Sequence, residues 1–116
     1  MAQQYQEKII FQYSQVQANN NEFIWECPEY YTVLLNAVGL ANTSGIAVTY
    51  RLFVNPSGGR TFTRNNALGW DIAIAADATD AWTGLTGVDF PTSFGIQCNT
   101  DDALVITAFG VEMKTG

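Results

Sequence analysis

Between Phe23 and Met113 the chain repeats one pattern: a short run with apolar residues at alternate positions, closed by a cluster of Asn, Gly, Ser or Asp. Asn42-Thr43-Ser44-Gly45, Asn55-Pro56-Ser57-Gly58-Gly59 and Asn99-Thr100-Asp101-Asp102 are three of these stops. Alternation with a period of two buries one face of a strand, whereas a helical face recurs every three to four residues. Several short strands at this spacing predict an all-β sandwich or barrel rather than βαβ units. About eight strands fit the length, so the expected fold is a single-domain, jelly-roll-like sandwich of two antiparallel sheets. The sandwich is expected over residues 9–116, after a polar, Gln-rich and flexible N-terminal arm, residues 1–8.

Each run has an expected orientation. From Lys8 to Gln17, Ile9, Phe11 and Tyr13 alternate with Ile10, Gln12 and Ser14. Tyr5, Ile9, Tyr13 and Val16 also fit a helical stripe, but the β-branched and aromatic content favours a strand. Glu22 to Cys27 predicts a strand with Phe23, Trp25 and Cys27 on one face; Pro28, lacking an amide donor, ends it or marks an edge. Tyr31 to Leu40 is apolar on both faces, as in a strand covered on both sides. Val48, Tyr50, Leu52 and Val54 share a face, with Thr49 and Arg51 opposite. Thr61 to Arg64 is a candidate return strand. Trp70, Ile72 and Ile74 are expected to point inward, and Trp82 to Leu85 forms a short strand or extended link. Phe94 to Cys98 and Ala103 to Met113 are expected to pair as a hairpin, the second arm again apolar on both faces.

Charged residues make up 14% of the chain, against about 25% in an average soluble domain, while aromatics reach 13%. Interface centres lose charge and gain aromatics, so part of this surface is expected to be covered by another chain. The net charge is −6, and only Lys8, Arg51, Arg60, Arg64 and Lys114 are basic. Three arginines in an acidic protein release too few phosphate counterions for a nucleic-acid footprint; they are expected to pair with carboxylates. No apolar run approaches the roughly 18 residues of a spanning helix, so no membrane partner is expected. The first residues lack the basic and apolar regions of a signal peptide, which predicts synthesis in the cytoplasm.

The sequence displays little chemistry. Without any His, the commonest general base near neutral pH is missing, and a Ser–His or Cys–His nucleophile pair cannot form. The acids sit singly, as Asp71, Asp89 and Glu112 do, rather than as two carboxylates across a cleft. No catalytic residue is assigned and no enzyme is expected. Asp77, Asp80, Asp101 and Asp102 invite a calcium reading, yet their loops are short and poor in oxygen ligands, and turns select Asp and Asn for their own hydrogen bonds. Ser57-Gly58-Gly59-Arg60 lacks the Lys-Ser/Thr ending of a phosphate loop; a turn needing positive φ at Gly explains it. Neither metal nor cofactor is expected. Cys27 and Cys98 are able to pair, but both lie in apolar patterns, and two buried thiols suit a reducing compartment. Trp70 is expected in the core. Trp82, after a turn, is the more exposed and the candidate platform for a sugar ring.

In chain order the motifs run Trp25-Glu26-Cys27-Pro28, Val33 to Leu40, Asn42-Thr43-Ser44-Gly45 and Val48 to Val54. Ser57-Gly58-Gly59, Asn65-Asn66-Ala67-Leu68, Trp82-Thr83-Gly84 and Gly110-Val111-Glu112 follow. This series, over about residues 23–113, resembles the small all-β capsid decoration (cement) proteins of tailed bacteriophages. Glu29-Tyr30 and Asp89-Phe90-Pro91 depart from the pattern, both in turns. The resemblance implies a homotrimer seated on the capsid surface of a virion, bound to the major capsid protein and bracing neighbouring coat subunits. A carbohydrate- or receptor-binding module of a phage tail or fibre is the alternative. Tyr5, Ile10, Phe62 and Trp82 are the candidate partner-binding residues, and the N-terminal arm is suited to ordering on a neighbour by strand addition.

Overall fold

The computed structural model describes residues 7–83 and 87–115. Nine strands follow one another: β1 (Lys8–Tyr13), β2 (Glu22–Glu26), β3 (Tyr31–Asn42), β4 (Val48–Asn55), β5 (Ala67–Ile74), β6 (Thr79–Thr83), β7 (Gly87–Asp89), β8 (Ser93–Cys98) and β9 (Leu104–Lys114). They form two antiparallel sheets. The first has the order β1-β9-β3-β6, with β7 pairing β3 beyond the end of β6; the second has the order β2-β8-β4-β5. Most successive strands therefore cross between sheets, which makes the sandwich jelly-roll-like. The short β7 is the element that the sequence pattern does not separate.

Period-two alternation builds the core. Val33, Leu35, Val38 and Leu40 of β3 are buried in one cluster with Val48, Tyr50 and Leu52 of β4, Phe94 and Ile96 of β8, and Leu104, Ile106 and Ala108 of β9. Each large apolar side chain so placed contributes about 1.5–3 kcal/mol of transfer free energy. At the end of β3, Asn42 stops the strand and is itself buried. Its Nδ2 donates to the carbonyls of Ile46, Ile74 and Ala75, and its Oδ1 accepts from the Ser44 amide and hydroxyl.

The Phe94–Cys98 and Ala103–Met113 segments do not pair. β8 lies between β2 and β4 in the second sheet, and β9 between β1 and β3 in the first. A four-residue turn looks the same in sequence whether it returns to the adjacent strand or passes to the facing sheet about 10 Å away. Here it passes, and its acids anchor the β1–β2 connection. Asp101 Oδ1 accepts from the Ala18 amide at 2.6 Å, and Asp102 Oδ1 from Gln17 Nε2 at 3.0 Å.

Bulges overturn two further expectations. In β2 the register shifts between Phe23, opposite Gly95, and Trp25, opposite Phe94. Phe23 and Trp25 consequently face opposite sides despite their spacing. Trp25 packs on Phe11 and Phe94 inside, while Phe23 lies under Arg60 outside. In β5, Gly69 pairs with Leu52 and Ile72 with Tyr50, so Trp70 and Asp71 share one extra position. Asp71 has φ of 52°, the left-handed region that Asp tolerates better than most residues. Ile72 and Ile74 stay inward as expected, but Trp70 turns to the outer face. Thr61–Thr63 and the 3-10 turn Arg64–Asn66 form no return strand; the segment lies across the outer face of the second sheet, and β5 makes the return.

Candidate interaction faces

Residues paired directly across strands share a face, so the register defines what each sheet shows outward. On the first sheet the outward rows are Val105–Ala41–Thr79, Gln12–Thr107–Gly39–Ala81, Ile9–Phe109–Ala37–Thr83, Val111–Leu34–Gly87 and Met113–Thr32–Asp89. Within these rows Asp89, at the margin, is the ionisable group and accepts from the Thr32 hydroxyl, while the exposed bulge residue Asn36 donates to the Glu7 carboxylate at 2.8 Å nearer the middle of the face. Near the centre Ile9 is 53% exposed, Leu34 39% and Phe109 37%. The inner faces of β3 and β9 are covered as the sequence requires, but their outer faces have no cover among the described residues.

Two bulges gather these exposed side chains. Ile10 in β1 is the extra residue opposite Ala108 and Phe109 of β9, and Asn36 in β3 the extra residue opposite Phe109 and Gly110. At Gly110 a Cβ would overlap the Leu34 carbonyl, so only glycine permits this approach of β3. The bulge also decides which isoleucine is presented. Ile10 is half-buried against the core, whereas Ile9 stands outward opposite Phe109.

The second sheet shows a different surface. Phe62, over Gly95, stacks on Phe53 at 5.6 Å, and Phe53 meets Trp70 edge-on at 6.4 Å. A Cβ on Gly95 would overlap the Phe62 ring, so the glycine makes the seat. Arg51 lies 3.6 Å from the Trp70 ring centroid, Arg64 5.1 Å from the same ring, and Arg60 4.3 Å from that of Phe23. Arg51 Nε also pairs with Asp71 Oδ1 at 2.6 Å, and this bond holds the Asp71 carboxyl below the usual range. The expected carboxylate pairing thus applies to Arg51; Arg60 and Arg64 rest on aromatic rings instead.

Where the sheets part, between β5 and β6, a polar group closes the edge. The Trp82 Nε1–H donates to the Tyr50 hydroxyl at 3.0 Å, which donates to Asp80 Oδ2 at 3.0 Å. Burial, reinforced by Asp80, pushes the Tyr50 hydroxyl up to about 12 although the Trp82 bond opposes it. Trp82 is half-buried, packed against the core, and a Cβ on Gly69 would come within 2.7 Å of its ring. It is not the exposed platform expected from its position after a turn.

Of the candidate partner-binding residues, Tyr5 lies outside the described residues, Ile10 and Trp82 are half-buried, and Phe62 is buried under its own chain's contacts. Ile10 on β1, Trp82 on β6 and Phe62 over the outer face of the second sheet lie apart from one another. Ile9, Leu34 and Phe109 form the exposed apolar group instead. Their signal was present in the sequence as the second apolar face of two strands.

Both cysteines are free and buried, and burial raises both thiols above their ordinary value. The Cys27 amide bonds the Thr92 carbonyl. Cys98 lies at the far end of the extended chain leading from Thr92, about 20 Å away at 3.3 Å per residue. A disulfide needs Cα atoms within about 7 Å, so the pair cannot form in this fold. No family model matches the chain, and no curated protein matches it.

Proposed function

We propose that the protein is a structural assembly protein of the capsid-decoration kind, working through sheet faces rather than through reactive groups. The outward rows of the first sheet carry this reading. Strand spacing and rise give these rows a footprint of roughly 500 Å². Ile9, Leu34 and Phe109 are the large exposed apolar side chains within it, and Thr, Gln and Gly fill much of the remainder. Phe109, Ile9 and Leu34 supply the apolar side chains of an interface core, and the carboxylate that reaches the middle of the face, that of Glu7, is bonded there to Asn36.

The edges of the sandwich favour faces over strand addition. Edge strands β1, β2 and β5 each contain a bulge, and edge strand β6 has only five residues. Bulges and short edges blunt pairing with another chain. In the proposed arrangement the outer face of the first sheet is buried partly between copies of a homotrimer and partly against the major capsid protein, on the virion surface. The glycan-binding alternative has less support, because Trp82 is packed inside and the Trp70 ring carries Arg51.

Co-sedimentation at 0.5 M salt with expanded shells of the phage that encodes the protein tests the reading. Recovery of the protein with the shells is expected. Protein left wholly in the supernatant refutes the decoration role.

A further inference from the structure

All three arginines stand on the outer face of the second sheet; Asp71 pairs with Arg51 and also feels the Arg64 charge, but neither Arg60 nor Arg64 has a carboxylate within ion-pair distance among the described residues. Of the eleven acids, Asp71 and Glu112 form the ion pairs seen among the described residues, with Arg51 and Lys8. The other nine have no cationic partner there. A guanidinium laid on a ring keeps its edge N–H donors free for a carboxylate. Phe23 on β2 and Trp70 on β5 are three strand spacings apart, which places Arg60 and Arg64 roughly 14 Å apart over an aromatic floor.

The matching charge lies elsewhere on the molecule. Residues 14–21, 43–47, 75–78 and 99–102 make one end of the sandwich and contain no Lys or Arg. Asp77, Asp101 and Asp102 are exposed there. The Ala78 and Ala103 carbonyls bond the amides of Asn42 and Thr43, so Asp77 and Asp102 flank the end of β3, roughly 10 Å apart. The bonds that Asp101 and Asp102 make within the chain occupy one oxygen each, leaving the other to accept. The rigid strands hold this end away from the arginine face.

We propose that the Arg60–Arg64 face takes the Asp77, Asp101 and Asp102 carboxylates of a second copy of this chain. The contact joins two different surfaces, so repetition closes a ring or extends a filament. Being electrostatic, it is screened by salt, whereas an apolar contact through the first sheet is not. The proposal stands independently of the capsid reading.

Sedimentation velocity at 50 mM and 500 mM NaCl tests it on the wild type, the Arg60→Gln/Arg64→Gln variant and the Asp77→Asn/Asp101→Asn/Asp102→Asn variant. Asn tolerates the positive φ of residues 77 and 102 and retains an acceptor oxygen. Far-UV circular dichroism confirms that each variant is folded. The wild type is expected to form a larger species at 50 mM than at 500 mM. Each variant is expected to weaken that low-salt step by about tenfold or more and to keep the high-salt species. A wild type unaffected by salt, or a low-salt step that survives in the arginine variant, overturns the proposal. Loss in the arginine variant with survival in the aspartate variant overturns the Asp77, Asp101 and Asp102 carboxylates as the groups that the arginines take. A monomer at 500 mM with the low-salt step intact upholds this contact and counts against the apolar interface instead.

Discussion

Replacing Tyr50 by Phe removes one oxygen from the sandwich edge and strands two partners. The ring is 1% exposed, and its hydroxyl both donates to Asp80 and accepts from Trp82. A hydrogen bond to a charged acceptor contributes about 1.5–3 kcal/mol, and the orphaned indole N–H costs less because water reaches this edge. Tyr50→Phe is therefore expected to lose about 2–3 kcal/mol at pH 7. The pH dependence is more diagnostic. Burial raises the folded-state value from 10.0 to about 12, so the stabilisation is complete below pH 10 and is lost as pH rises from 10 to 12. Two units set a ceiling of about 2.7 kcal/mol, and solvent screening at the edge reduces this to about 1–2 kcal/mol. Urea unfolding of both proteins at intervals from pH 8 to 11.5 measures the difference directly and cancels the other tyrosines. The gap is expected to narrow by about 1–2 kcal/mol above pH 10. A constant gap across that range refutes the proposed burial and bonding of this hydroxyl.

Asn42→Ala is expected to cost about 2–4 kcal/mol in denaturant unfolding, because three carbonyls lose a donor at a buried strand end. Ser93→Ala should be neutral or stabilising by up to about 1 kcal/mol, since the Ser93 hydroxyl is buried without a partner and its removal leaves nothing unsatisfied; marked destabilisation in the same assay would contradict that placement. Cys27 and Cys98 should resist an aromatic disulfide reagent in the folded protein and react fully in denaturant; rapid native labelling would show that the thiols are not buried.

Strand positions were legible in the sequence because each buries one face, and Val48, Tyr50 and Leu52 show it plainly. Facing was legible only where no bulge intervenes. One inserted residue reverses Phe23 relative to Trp25, moves Trp70 outward and exchanges Ile10 for Ile9. No local composition announces such insertions, because they are fixed by pairing with a distant strand. Sheet membership was hidden for the same reason: Asn99–Asp102 has turn chemistry whichever sheet receives the chain. The apolar outer face was half legible. Tyr31 to Leu40 and Ala103 to Met113 demanded cover on both sides, but only their adjacency in one sheet makes a continuous surface. The clustering of three distant arginines on rings depends on the β4–β5 connection folding over its own sheet, which alternation does not encode.

Assembly through the outer face of the first sheet is the central claim, and Phe109→Lys addresses it most directly. The side chain points outward between Ile9 and Ala37, so the substitution places a charge at the centre of the face without entering the core. Sedimentation equilibrium at 0.5 M salt reads the result. The wild type is predicted to be a trimer, and Phe109→Lys a monomer with unchanged far-UV circular dichroism and melting temperature. A monomeric wild type, or a variant that stays trimeric, would contradict the account.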